Sequence, residues 1–149
     1  MRRIIIGADH GGVNLKDQIV TMLKSSNEYD VTDIGTHVNT SVDYPDIAQE
    51  VGKQVAGNQE DLTGILVCGS GIGVSIAANK IKGIRAALCH DAYTARMARQ
   101  HNNANVLCLG ERVTGSEVAK DAVMVFLKSG FEGGRHANRV DLITKLESK

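Results

Sequence analysis

A cysteine standing directly against a glycine-rich turn, Cys68-Gly69-Ser70-Gly71-Ile72-Gly73, is the most chemically suggestive stretch of this 149-residue chain. It joins a β-branched apolar run to a stretch of helical period, so backbone N–H groups and the positive end of a helix dipole face an incoming anion. Three glycines let a ligand come close to the main chain. A thiol at the mouth of such a turn can have its pKa lowered by the helix N-terminus, which yields a thiolate able to abstract a proton from carbon. The segment is not a dinucleotide fingerprint, because the third glycine of G-x-G-x-x-G would fall at Val74, and no Walker A pattern occurs. The glycines alone would serve equally well in a tight strand-to-helix turn; Cys68 is what shifts the reading towards chemistry. Cys89 and Cys108 lie inside apolar segments and read as small buried hydrophobes.

Other polar groups fall at the ends of strand-like runs, where ligands bind in open parallel sheets. Asp9-His10-Gly11-Gly12 follows the first run, His90-Asp91 the fourth and Gly110-Glu111-Arg112 the fifth, while Gln100-His101-Asn102-Asn103 closes the fourth helical stretch. Two histidines with Asp or Asn beside them at turns suit acid/base work and hydroxyl recognition. Arg135, His136 and Arg139 cluster beyond Gly133-Gly134. Arg135 and Arg139 are four apart, hence on one helical face, and two guanidinium groups on one face suit a phosphate. Cations are disfavoured at a helix N-terminus, so an anion nearby explains them better than a solvated basic face does. No group of His, Cys and carboxylate residues has metal-ligand spacing, and no metal is expected.

The elements that must position these residues alternate between short β-branched runs and helical stretches, the pattern of a parallel sheet with helices on both faces. The strands are expected at Arg3 to Ala8, Asp30 to Ile34, Gly64 to Cys68, Ile84 to Cys89 and Asn105 to Leu109. The helices are expected at Val13 to Ser25, Pro45 to Ala56, Val74 to Lys80, Ala92 to Gln100 and Ser116 to Lys128. Pro45 suits a first helical turn, with Asp43 or Tyr44 preceding it. A final helix from Arg135 to Lys149 repeats Val140, Ile143 and Leu146 at helical spacing and is expected to pack on a partner.

The length fits one domain with a continuous core. Lys plus Arg equals Asp plus Glu at 17 each, and only three Tyr and two Phe are present, so neither a phosphate-tracking surface nor a base-stacking platform is apparent and nucleic acid is not an expected partner. No apolar run approaches the roughly 20 residues of a membrane span, and Met1-Arg2-Arg3 leads straight into a strand rather than a secretory h-region, so a cytoplasmic protein is expected. Three widely spaced cysteines argue for reduced thiols rather than disulfides.

Gly-Ala-Asp-His at 7 to 10, Asp-Tyr-Pro at 43 to 45, Cys-Gly-Ser-Gly-Ile-Gly at 68 to 73, Arg-Gln-His-Asn at 99 to 102 and Gly-Gly-Arg-His at 133 to 136, in this order and spacing, resemble the ribose-5-phosphate isomerase B family. The likeness covers essentially the whole chain and extends to the related galactose-6-phosphate isomerase subunits. It implies a Rossmann-like α/β fold of five parallel strands, no metal and no organic cofactor, and a homodimer with active sites shared between subunits; it leaves open whether dimers pair into tetramers. Carried over residue by residue, Cys68 resembles the base that moves a proton between C1 and C2 through an enediolate. Gly69 to Gly73 would hold the oxyanion, with Ile72 in that loop, and Ser70 would assist proton movement between the oxygens. His101 resembles the ring-opening residue, with Asn102 beside it and Asp9 on the sugar hydroxyls. His10, Arg112, Arg135 and Arg139 resemble the grip on phosphate and substrate, Tyr44 lines the sugar site, and His136 has a supporting role. Some family members carry an acidic base shortly after the glycine loop; here that position is Val74, which leaves Cys68 as the base. A six-carbon substrate, allose 6-phosphate or galactose 6-phosphate, is the nearest alternative. Galactose-6-phosphate isomerase resembles a pair of unlike subunits that divide the functional residues, whereas this chain carries Cys68, His101, Arg135 and Arg139 itself. A non-catalytic sugar-phosphate sensor would need the glycine loop and arginines but neither Cys68 nor His101.

Overall fold

The computed structural model describes residues 1–38 and 40–149. Five strands, β1 (Arg2–Ala8), β2 (Tyr29–Asp33), β3 (Leu62–Cys68), β4 (Ala86–Leu88) and β5 (Val106–Gly110), form one sheet in the order β2-β1-β3-β5-β4, and every pairing is parallel. Between and after them run α1 (Val13–Ser25), α2 (Tyr44–Gly57), α3 (Ile72–Asn79), α4 (Ala92–Gln100), α5 (Ser116–Lys128) and α6 (Arg135–Leu146).

Strand side chains alternate between the two faces, and each face builds its own core. Ile4, Ile6, Ile65, Val67, Leu107 and Leu109 pack with α1, α4 and α5. Ile5, Leu66, Cys68, Val106 and Cys108 pack with α2 and α3. The assignment of helices to faces follows from handedness. The connections β2 to β3 and β3 to β4 run one way along the sheet, so α2 and α3 share a face. The connections β1 to β2 and β4 to β5 run the other way, so α1 and α4 lie opposite. The chain therefore reverses direction between β1 and β3, and the crevice beyond their carboxyl ends is a topological switch point.

Most expected boundaries lie within a residue or two of the observed ones. Pro45 follows Asp43 at the N-cap and Tyr44 at the first helical position of α2. Three differ more. Strand β4 is Ala86–Leu88 rather than Ile84 to Cys89, because it is an edge strand with β5 as its one neighbour. Its opening residues are held by other groups: Ile84 N–H donates to Ile81 O, and the Asn105 side chain accepts from Arg85 N–H at 2.8 Å. The Asn79 amide bonds both backbone groups of Ala86, at 2.8 and 2.9 Å, where a further strand would otherwise pair. Helix α3 begins at Ile72 instead of Val74, since Gly71 takes the left-handed conformation (φ 79°) and turns the chain into the helix at once. Helix α6 ends at Leu146 rather than Lys149.

Lys16 is the one fully buried cation among the described residues, with Nζ 2.9 and 3.0 Å from the Asp33 carboxylate. Asp33 also accepts from Gly35 N–H at 2.9 Å. The pair thus fixes the start of the connection that runs from β2 to Tyr44.

Candidate active site

Cys68 closes β3 and is 5% exposed. Its Sγ accepts a hydrogen bond from the Gly71 N–H at 3.1 Å, which puts a backbone donor on the sulfur where negative charge would reside once the proton left. That bond exists because the chain doubles back at Gly71. A Cβ there would lie 2.5 Å from Leu88 Cδ1 and 2.9 Å from the Leu109 carbonyl carbon, so only glycine fits both the conformation and the space. At Gly73 a Cβ would lie 2.6 Å from the Tyr44 ring, so the glycine is what lets Tyr44 close over the loop. The Ser70 hydroxyl accepts from Ile72 N–H at 3.2 Å and leads into the helix.

Around this turn is a cavity of about 560 Å³ lined by Asp9, Tyr44, Cys68, Gly69, Ser70, Ile72, Gly73, Ile76, Arg112 and Val113. Asp9 is buried and accepts from Gly11 N–H at 2.9 Å, while its own N–H reaches Val67 O across the switch point. Arg112 is tied in by its N–H to Gly69 O at 3.0 Å, and its guanidinium lies against Gly69. The structure thus brings together a thiol, a carboxylate, a phenol, a guanidinium and a glycine loop as the sequence implied. Ile76 and Val113, both exposed, line the same cavity and carried no distinguishing signal in the sequence. His10 is half-buried next to Asp9; its Nδ1 accepts from Val42 N–H at 3.3 Å and ties the segment before α2 to the end of β1. Val74 is fully buried in the core, so no acidic group replaces Cys68 at that position.

His101, Asn102, Arg135 and Arg139 are not in this cavity. Helix α4 leaves the carboxyl edge of the sheet at its N-cap Asp91, and its nine residues carry the chain about 13 Å back to the amino edge. There Asn102 shares a groove with Ile84 and Arg85, which lead into β4, and with Ile143 and Leu146 of α6. His101 stacks on His136, ring centroids 4.1 Å apart and planes 10° from parallel. The Glu132 carboxylate lies 3.6 Å from the Nε2 of each ring. Arg135 and Arg139 stand exposed on the first two turns of α6. Burial lowers the pKa of His136, assisted by repulsion from His101 and the two arginines and opposed by Glu132. Nothing in the sequence spacing flagged Glu132, and His101, Glu132 and His136 form a group of metal-ligating type that sequence distance had hidden.

The other two thiols behave as expected of core residues. Burial pushes the Cys89 thiol up to about 11 and raises Cys108 as well. No helix is long and apolar enough to cross a membrane among the described residues.

The Ribose/Galactose Isomerase family model matches residues 4–143. Ribose-5-phosphate isomerase B of Escherichia coli K12 is 47% identical over 149 residues, covering 100% of this chain and 99% of that protein. Among solved structures, ribose-5-phosphate isomerase B of Clostridium thermocellum superposes with a TM-score of 0.94 at 53% identity, covering 98% of this chain and 97% of the other. The enzyme of Mycoplasma genitalium with bound ribulose-5-phosphate gives a TM-score of 0.94 at 44% identity, over 99% of this chain and 97% of its own. With a glycine loop and thiol at the switch point and a likeness running end to end, the chain belongs to the ribose/galactose isomerase family.

Proposed function

We propose that this protein is an aldose–ketose isomerase that interconverts ribose 5-phosphate and ribulose 5-phosphate, acting in the cytoplasm as one domain over residues 1–149. The observation that carries the reading is the Cys68 sulfur, held by the Gly71 N–H inside a cavity with Asp9, Tyr44 and Arg112. Relatives that share the whole chain are named for this activity, and one is described with ribulose-5-phosphate bound.

The chemistry runs without metal or organic cofactor. The furanose first opens, a proton transfer assigned to His101. Cys68 as thiolate then takes the C2 proton of the open-chain aldose, and the electron pair moves to the carbonyl to form an enediolate. Backbone N–H groups of Gly69 to Gly73 hold the oxyanion, an interaction of the kind that contributes about 3 kcal/mol. O1 gains a proton as O2 loses one, with Ser70 relaying it, and Cys68 returns its proton to C1. Asp9, Tyr44 and Asn102 hold the sugar, and His10, Arg112, Arg135 and Arg139 grip substrate and phosphate.

One copy cannot assemble this set, because His101 and the α6 arginines stand at the amino edge and Cys68 at the carboxyl edge of the same sheet. We therefore propose a homodimer in which each site pairs the Cys68 loop of one copy with the His101 end of the other. The groove of about 600 Å³ between α6 and the edge strand β4, with Leu142, Ile143 and Leu146 all exposed on α6, supports α6 packing on that second copy.

The test is kcat/KM on ribose 5-phosphate, allose 6-phosphate and galactose 6-phosphate, each with a chelator present. Turnover of ribose 5-phosphate, favoured over the hexose phosphates and untouched by chelator, is the expected result. A preference for either hexose phosphate would transfer the assignment to the six-carbon alternative, and binding without turnover would make the protein a sensor.

A further inference from the structure

His136 and Glu132 have no role in the scheme above, yet they make the closest surroundings of His101. His101 follows the last turn of α4 and is half-exposed, so by itself its ring would turn freely. Three features prevent that. The His136 ring covers one face of it at 4.1 Å, in parallel stack. His136 is itself buried to 8% exposure, which makes it the fixed member of the pair. The Glu132 carboxylate sits 3.6 Å from both Nε2 atoms, too long for a hydrogen bond but within reach as a charge partner. The loop carrying Glu132 is fastened to α4 next to His101: Glu132 N–H donates to Gln100 O at 3.0 Å, and Arg99 Nε donates to Ser129 O at 3.3 Å.

We propose that His136 and Glu132 are positioning residues for ring opening, the stacked imidazole fixing the plane of His101 and the carboxylate fixing the edge at which it holds its proton. The proposal rests on the assignment of His101 to ring opening. Two charged imidazoles facing each other would repel, and burial together with Arg135 and Arg139 lowers the pKa of His136; the buried His136 ring is thus the support and the half-exposed His101 ring the member of the stack open to substrate. A bound metal ion fits the trio less well. Parallel rings direct their nitrogen lone pairs side by side rather than towards one point, and the two arginines on α6 add positive charge next to it.

The experiment compares an aldose phosphate that cyclises with one that cannot. Ribose 5-phosphate is mainly a furanose; erythrose 4-phosphate has its C4 oxygen esterified and forms no furanose. His136→Ala and Glu132→Gln should lower kcat on ribose 5-phosphate on the order of tenfold to a hundredfold, as misorientation of a reacting group does. On erythrose 4-phosphate both should stay within about threefold of wild type, since ring opening there is not needed. His136→Phe, which keeps an aromatic face, should recover most of the loss, a rescue that a purely electrostatic role would not give. Independently of activity, the ring-current shift on the His101 C–H protons should vanish in His136→Ala and persist in His136→Phe. Equal losses on both sugars, or no loss on either, would overturn the proposal. His101→Asn run alongside separates the failures: if it shows the substrate split and the His136 and Glu132 variants do not, positioning alone falls. If His101→Asn shows no split, the ring-opening assignment falls and the positioning proposal with it.

Discussion

Mixing two inactive variants should restore activity, and the amount follows from where the fold puts the two halves of the proposed shared site. Cys68→Ser replaces a thiol of reference pKa about 8.5 with a hydroxyl too weakly acidic to act as base at neutral pH. His101→Asn removes the group proposed for ring opening without touching the cavity around Cys68. Each homodimer should be almost inactive on ribose 5-phosphate. In a mixed dimer, one site joins the intact Cys68 of the His101→Asn chain to the intact His101 of the Cys68→Ser chain, and the other site carries both changes. Equal amounts, unfolded together and refolded so that subunits pair at random, give about half mixed dimers with one good site of two, hence about one quarter of wild-type activity. The assay is the initial rate at saturating ribose 5-phosphate as a function of mixing ratio, which should peak at equal amounts. The reasoning is specific to this sheet, because α4 returns His101 to the edge opposite Cys68. Activity that stays at the level of the parents after joint refolding would refute the shared site.

The remaining expectations concern single groups. Iodoacetamide at mildly alkaline pH should label Cys68, which lines the cavity, and spare Cys89 and Cys108, whose thiols burial keeps protonated; peptide mass mapping with and without substrate reads this, and labelling of Cys108 first would contradict it. Arg135→Ala or Arg139→Ala should raise KM for the phosphorylated sugar about tenfold or more, as loss of a charged hydrogen-bond partner does, while a slow unphosphorylated sugar is turned over as before; equal losses on both would remove the phosphate grip. The fold lowers the pKa of His136, so the unfolded chain binds more protons below the ordinary histidine pKa of about 6.5 and stability should fall as pH drops through that range. The urea midpoint of His136→Phe should fall less over the same interval, and an unchanged slope would sink the idea.

The sheet, its six helices and the Cys68 loop were legible because each rests on local chemistry: alternating apolar runs for the faces, Pro45 for the start of α2, glycines for the turn into α3. Strand β4 was overestimated because Ile84, Arg85 and Cys89 look β-like in sequence, whereas an edge position leaves pairing on one side only and side-chain amides take over the rest. The site was half legible. Residues after β1, β3 and β5 could be placed together from topology alone, because parallel strands end on one edge. The same rule separates His101 from them: a helix between parallel strands must run back, so a group at its C-terminal end belongs to the opposite edge. Neither Glu132 nor the stacking of His136 on His101 could be read, since they depend on how the loop after α5 folds onto the end of α4. A motif set that falls on both edges of one parallel sheet is therefore itself an argument for a second copy. Two groups that must meet at one substrate cannot do so across a packed core that holds Ile65, Leu66, Leu107 and Cys108 at or below 1% exposure.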